Sequence, residues 1–179
     1  MIDPITTRRW AHRGLYLGLA ALVLFLRLLP VNPTSHGIPG PDMMVAFTLA
    51  WVLRRPEYVP ALLIVLVFLV EDLMFWRPIG LWPLIVLAGT EFLRAREEAS
   101  RDLPFAIEMA LVGSVMVAML LLNRLVLGLL LVPQPPLGLE LLRMLATLLA
   151  YPFVVALSLL AFGLRRAAPG EVDAWGNRL

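Results

Sequence analysis

Long apolar runs alternate with short polar segments along this chain. The polar segments are rich in proline, glycine and arginine. A helix needs about 20 residues, rising 1.5 Å each, to cross about 30 Å of hydrocarbon. The pattern therefore predicts an all-α integral membrane protein with about six transmembrane helices, at residues 14–29, 42–53, 58–76, 79–93, 103–132 and 139–164.

Two of the predicted spans have unusual lengths. Residues 42–53 number only twelve, so this helix must borrow length from its flanks or lie where protein and a thinned bilayer shield its ends. Residues 103–132 number thirty, which is about 45 Å if the helix is unbroken. We expect this span to tilt, to kink near Asn123 and Arg124, or to project above the membrane surface.

The composition agrees with a membrane protein and excludes several kinds of site. Hydrophobic residues make up 60% of the 179 residues and charged residues 16%, against about 45–50% and about 25% in soluble domains. The loops are too short to fold alone, so residues 1–179 are read as one membrane domain. The absence of cysteine excludes disulfides and thiolate sites, and two separated histidines, His12 and His36, argue against a metal site. We therefore expect no cofactor and no metal.

The arginines predict the orientation. Cytoplasmic loops of membrane proteins carry an excess of basic residues, and here eleven arginines fall on one side of the predicted spans and four on the other. Both termini are therefore expected in the cytoplasm, and these arginines are topology signals and not a nucleic-acid-binding face. The larger set is Arg8, Arg9, Arg13, Arg54, Arg55, Arg94, Arg96, Arg101, Arg165, Arg166 and Arg178, and the smaller is Arg27, Arg77, Arg124 and Arg143.

Small residues recur at helical spacing in two spans. Stripes of this kind let helix backbones approach closely in lipid. We interpret them as packing surfaces within the chain, in preference to a face that binds a partner. They are Gly14 and Gly18 in the first span and Ala106, Ala110, Ser114 and Ala118 in the fifth.

Ionisable residues near the predicted outer side are the candidates for chemistry. Asp42 opens the second span, Glu71 and Asp72 close the third, and Arg27 and Arg77 lie at a similar level. Catalysis by an acid pair is disfavoured, because the sequence offers no nucleophile, metal motif or phosphate-binding loop, so we expect a protein that is not an enzyme. A substrate or ion path is the second interpretation, which the short second span favours.

The third interpretation is that these charged residues have a structural role, and the chemistry of the residues favours it over the other two. Arg27 or Arg77 would tie Asp42 and Asp72 together at the ends of neighbouring helices, and Asp42 would cap its helix. Phe75, Trp76 and Trp51 suit the headgroup level, where aromatic residues are enriched. The acidic residues around the second cytoplasmic loop alternate with arginines, and we expect a solvated face there; they are Glu91, Glu97, Glu98, Asp102 and Glu108.

The central 45 residues, "GPDMMVAFTLAWVLRRPEYVPALLIVLVFLVEDLMFWRPIGLWPL", resemble the signature region of the MreD family of bacterial rod shape-determining membrane proteins. In that family a proline and a polar residue open a short span, and an aromatic residue lies near its end. A proline follows in the next turn, and then a helix ends in Asp before a Pro/Gly turn. The matching positions are Pro41, Asp42, Trp51, Pro56, Asp72, Pro78 and Gly80. Phe68 stands where the family often has glycine.

The resemblance implies a non-enzymatic scaffold of the elongasome, or rod complex, which maintains cell shape during peptidoglycan synthesis. Its partner would be MreC, with indirect links to RodA, its transpeptidase and MreB, in the bacterial cytoplasmic (inner) membrane. The implied fold is similar to the S-component, the substrate-binding membrane subunit of energy-coupling-factor vitamin transporters, so such transport is the alternative function. Replacing Asp72 by Ala is expected to orphan an arginine and to impair assembly.

Overall fold

The structure, a computed structural model, describes residues 4–29, 39–96 and 104–164. These residues form six α-helices and a short 3₁₀ helix, with no β-strand among them, so the expected all-α class is confirmed. The α-helices are α1 (Pro4–Leu28), α2 (Met43–Arg54), α3 (Ala61–Met74), α4 (Leu81–Arg94), α5 (Phe105–Leu129) and α6 (Leu137–Phe162), and the 3₁₀ helix is Pro56–Tyr58.

Three helices are long and apolar enough to cross a membrane by length and composition: α1 from Thr7, α5 and α6, with 22, 25 and 26 residues. The other three have 12, 14 and 14 residues, or about 18–21 Å of helix. An all-α membrane protein is consistent with these lengths.

Helix α2 lies in the centre of the bundle. Eleven of its residues, Met44–Arg54, are buried, and it packs against α1, α4 and α6. A helix that is apolar all round is stable where other helices cover every face. Protein therefore shields this short helix along nearly its whole length.

The structure corrects the position of Trp51. Its side chain is 0% exposed, so it does not rest at the surface of the bundle as an interfacial aromatic would. The indole Nε1 donates a hydrogen bond to Ser158 Oγ of α6 at 3.2 Å, and the ring packs against Tyr16 and Phe162. Trp51 is a core residue that joins α2 to α1 and α6.

Helix α5 is shorter than the predicted span of residues 103–132, and it is unbroken. It covers Phe105–Leu129 and continues through Asn123 and Arg124, so the break considered there is absent. It ends in a turn in which Leu131 has a left-handed backbone, with φ of +55°. Its 25 residues give about 37 Å of helix.

The two predicted small-residue surfaces lie on the outside of the bundle. Gly14 and Gly18 are exposed, and a Cβ added at either would meet no atom within 4 Å. Ala106, Ala110, Ser114 and Ala118 are exposed as well. The prediction that these residues pack within the chain is therefore wrong for the residues described, because the bundle turns the opposite faces of α1 and α5 inward.

Helices α2 and α6 run in the same direction. The N–H of Asp42 donates to Thr147 Oγ1 at 2.7 Å near one end, and Trp51 reaches Ser158 near the other. We call these ends of the bundle the Arg27 end and the Arg54 end, after the arginine that each holds. The polar residues of interest are concentrated at the two ends.

Candidate functional site

Four charged residues from four parts of the chain meet at the Arg27 end, and we call them the Arg27 cluster. Arg27, in the last turn of α1, pairs with Asp42 at 3.1 Å and with Glu71. Arg77, after α3, pairs with Glu71 at 3.4 Å. Glu71 is 0% exposed, and a buried carboxylate needs such partners. Two positive and two negative side chains make the cluster neutral.

Asp42 also fixes the start of α2. Its Oδ1 accepts a hydrogen bond from the N–H of Val45 at 3.2 Å, which satisfies a donor that a helix start leaves free. Its other carboxylate oxygen, Oδ2, faces Arg27. The predicted cap and the predicted Arg27–Asp42 pair are both present, and Pro41 lies exposed just before them.

The expected role of Asp72 needs correction. The arginines pair with Glu71 and Asp42, whereas Asp72 Oδ2 accepts a hydrogen bond from the N–H of Gly80 at 3.1 Å. Gly80 has φ of +90° at the start of α4, a conformation that side chains disfavour. Replacing Asp72 would therefore orphan a backbone donor of the α3–α4 turn, and not an arginine.

The α3–α4 turn carries two aromatic residues with different surroundings. Trp76 has φ of +53° and is 96% exposed, while the Arg77 N–H bonds back to the Asp72 carbonyl at 3.1 Å. This is the geometry of a Schellman motif, in which glycine usually takes the left-handed position. The ring of Phe75 lies beneath both Arg27 and Arg77, 5.8 and 5.9 Å from their guanidinium carbons.

A second buried ionic group lies at the Arg54 end and was missed from the sequence. Arg54 Nη1 donates to Glu108 Oε1 at 2.8 Å, and the Tyr151 hydroxyl donates to the same oxygen at 2.5 Å. Glu108 is 1% exposed, so its assignment to a solvated face is wrong. Helical spacing in the sequence could have indicated that Glu108 is buried, because it shares its face of α5 with the buried Val112, Val115 and Met119.

The connection between α2 and α3 lies at the same end and is held by hydrogen bonds from arginine side chains. Pro56 begins the 3₁₀ helix, and the Glu57 carbonyl accepts from Arg13 at 3.2 Å. The Val59 carbonyl accepts from Arg94 at 2.9 Å. Arginines of α1 and α4 therefore cover backbone acceptors of this loop.

A cavity of about 360 Å³ opens near the Arg27 end. It lies between α2, α4, α5 and α6, and Trp76 and Pro78 of the α3–α4 turn form part of its wall. Methionine and leucine side chains supply an apolar wall, and Asp42, Arg77, Asn123, Glu140 and Arg143 supply polar groups. This volume falls at the low end of the roughly 300–1,000 Å³ of small-molecule sites.

Among the residues described, no three side chains of His, Cys, Asp or Glu lie together as metal ligands. Asp42 and Glu71 are both held in ion pairs with Arg27. No family model, curated protein or solved structure matches this chain.

Proposed function

We propose that this protein is a non-enzymatic membrane scaffold of the MreD type, a subunit of a rod complex that maintains bacterial cell shape. The single observation that carries the proposal is that its small-residue faces on α1 and α5 are uncovered. The resemblance of the Gly40–Leu84 segment supports the family, and MreC would be the direct partner.

The α5 face is the more informative of the two. Its exposed side carries Ala106, Ala110, Ser114 and Ala118, with Ile107 and Val117 beside them, and becomes leucine-rich beyond, at Leu121 and Leu125. In lipid, small residues allow close backbone approach and van der Waals packing between helices. A membrane helix of the partner fits the first half of this side, while lipid chains cover the leucines.

The proposal includes a topology. All six helices would cross the bacterial inner membrane, with both termini and the Arg54 end in the cytoplasm and the Arg27 end in the periplasm. The short helices would be accommodated because α2 is enclosed by protein and because bilayers thin around short spans. The expected S-component-like fold remains part of this proposal.

The test is a pull-down of the tagged protein from detergent-solubilised native membranes, read by mass spectrometry. The wild type is expected to recover MreC with the peptidoglycan synthase. Ala110→Trp, on the small half of α5, is expected to lower that recovery about tenfold, because a bulky side chain prevents close helix approach. Leu125→Trp, on the leucine half, is the matched control and should recover the wild-type amount. Equal recovery by both variants would refute the assigned face.

Transport is the second candidate, and the cavity at the Arg27 end favours it. A protein of this kind would bind a small molecule there and pass it to a coupling partner. In the same pull-down, recovery of ATPase subunits with a coupling membrane protein, and no MreC, would replace the scaffold by this function.

A further inference from the structure

The cavity contains polar side chains that the protein itself leaves without partners. Trp82 Nε1 is buried and has no hydrogen-bond acceptor. Asn123 and Arg143 line the same space, and neither side chain has a hydrogen bond or ion pair with any residue in the described ranges. A buried donor without a partner costs free energy, and Trp82 Nε1 is such a donor. Asn123 is half-buried and Arg143 is exposed, so both are accessible to a ligand that supplies acceptors.

The charges around the cavity leave one cation unbalanced. Arg77 belongs to the neutral Arg27 cluster, and Glu140 pairs with Arg124 at 2.5 Å. Arg143 is the remaining charged residue of the lining. The cavity therefore suits a single negative charge, which Arg143 would neutralise.

The apolar side chains of the lining determine the rest of the ligand. Met116, Met119 and Leu120 of α5 and Leu81 of α4 line the cavity. Methionine is unbranched and adapts to irregular apolar groups. A ligand that fills the cavity thus has an apolar part as well as an anionic one.

We infer that this cavity binds an anionic amphiphile, a molecule with one phosphate or carboxylate group on an apolar body. The anion pairs with Arg143 and accepts from Asn123, an acceptor oxygen receives the Trp82 N–H, and the apolar part packs on Met119 and Leu120. An anionic phospholipid and a free amphiphilic anion share this chemistry. The inference does not depend on the scaffold function, because it concerns a different part of the molecule from the α5 face.

The experiment uses the purified full-length protein in phosphatidylcholine nanodiscs and two probes. Phosphatidylglycerol is titrated into the discs, and octyl phosphate is added from solution, with tryptophan fluorescence and native mass spectrometry as readouts. The wild type is expected to bind one equivalent saturably. Arg143→Gln and Trp82→Phe should each weaken binding about tenfold, as for loss of a hydrogen bond at a charged or buried group.

Arg96→Gln is the matched control, since Arg96 is exposed at the opposite end of α4 and its loss should leave binding unchanged. Binding of phosphatidylglycerol alone assigns the site to a lipid. Competition by octyl phosphate assigns it to a free anion. No saturable binding of either probe, or equal binding by wild type and Arg143→Gln, would overturn the inference.

Discussion

Charged side chains are buried at both ends of this helix bundle, and each is held by residues from other helices. Arg27 meets Asp42 and Glu71 at one end, and Arg54 meets Glu108 at the other. The cap formed by Asp42 could be predicted, because a helix start after proline calls for a side-chain acceptor. The choice of Glu71 over Asp72 as the partner of the arginines could not, because two neighbouring residues differ in helical phase by about 100°. Both are buried, and only the packed bundle decides which of them reaches Arg27 and Arg77.

The Arg54–Glu108 pair allows a prediction at the scale of single residues. Glu108→Ala leaves the guanidinium of Arg54, itself only 6% exposed, without its carboxylate. We expect the free energy of unfolding to fall by about 3–5 kcal/mol, as when one partner of a buried pair is removed. Unfolding of the purified protein in mixed micelles, followed by tryptophan fluorescence, measures this.

Two further variants complete that test. Glu91→Ala removes a carboxylate whose side chain is 47% exposed in its pair with Arg94, and should cost less than about 1 kcal/mol. The double variant Arg54→Met/Glu108→Leu removes both charges and should recover most of the lost stability. A double variant as unstable as Glu108→Ala would show that packing, not the unpaired charge, causes the loss.

At the scale of elements, the positions of the helices followed from the apolar runs, whereas their ends and packing faces did not. Helix α3 begins at Ala61 and not at residue 58, because Pro60 disfavours helical geometry in the residue before it. Small residues were assigned to helix contacts at Gly14 and Gly18, yet the close contact lies at Gly89 in α4. Helical spacing in the sequence identifies small residues that share a face. Which face another helix covers depends on contacts with distant parts of the chain.

Gly89 gives the prediction for this scale. A Cβ at Gly89 would lie 3.0 Å from Met119 Sδ and 3.1 Å from Val115 Cγ1, so Gly89→Leu forces α4 and α5 apart. We expect a loss of at least about 1–3 kcal/mol, the usual cost of overpacking a core, in the same unfolding measurement. Gly18→Leu is the control, because the space around Gly18 is open, and it should unfold like the wild type. Equal loss in both would mean that the larger side chain destabilises a helix wherever it is placed.

At the scale of the whole molecule, two arrangements of the helices relative to a membrane can be distinguished by experiment. Three are long enough by length and composition. The apolar runs predict six spans, and the arginine bias predicts their orientation. The two arrangements differ in where the ends of the short helices lie. With six spans in the proposed orientation, Trp76 would face the periplasm and Ala95 the cytoplasm. If only α1, α5 and α6 cross, α2–α4 remain together on one side, and both residues face the periplasm when the N-terminus is cytoplasmic.

Single cysteines distinguish these arrangements directly, because the chain contains no native cysteine. Trp76→Cys and Ala95→Cys place a thiol at exposed positions after α3 and α4, and a membrane-impermeant maleimide is added to right-side-out vesicles. With six spans, Trp76→Cys is labelled in intact vesicles and Ala95→Cys only after detergent permeabilisation. Labelling of both in intact vesicles would establish the three-span arrangement, and labelling of Ala95→Cys alone would reverse the orientation. Denatured samples, in which both thiols react fully, provide the reference for each yield.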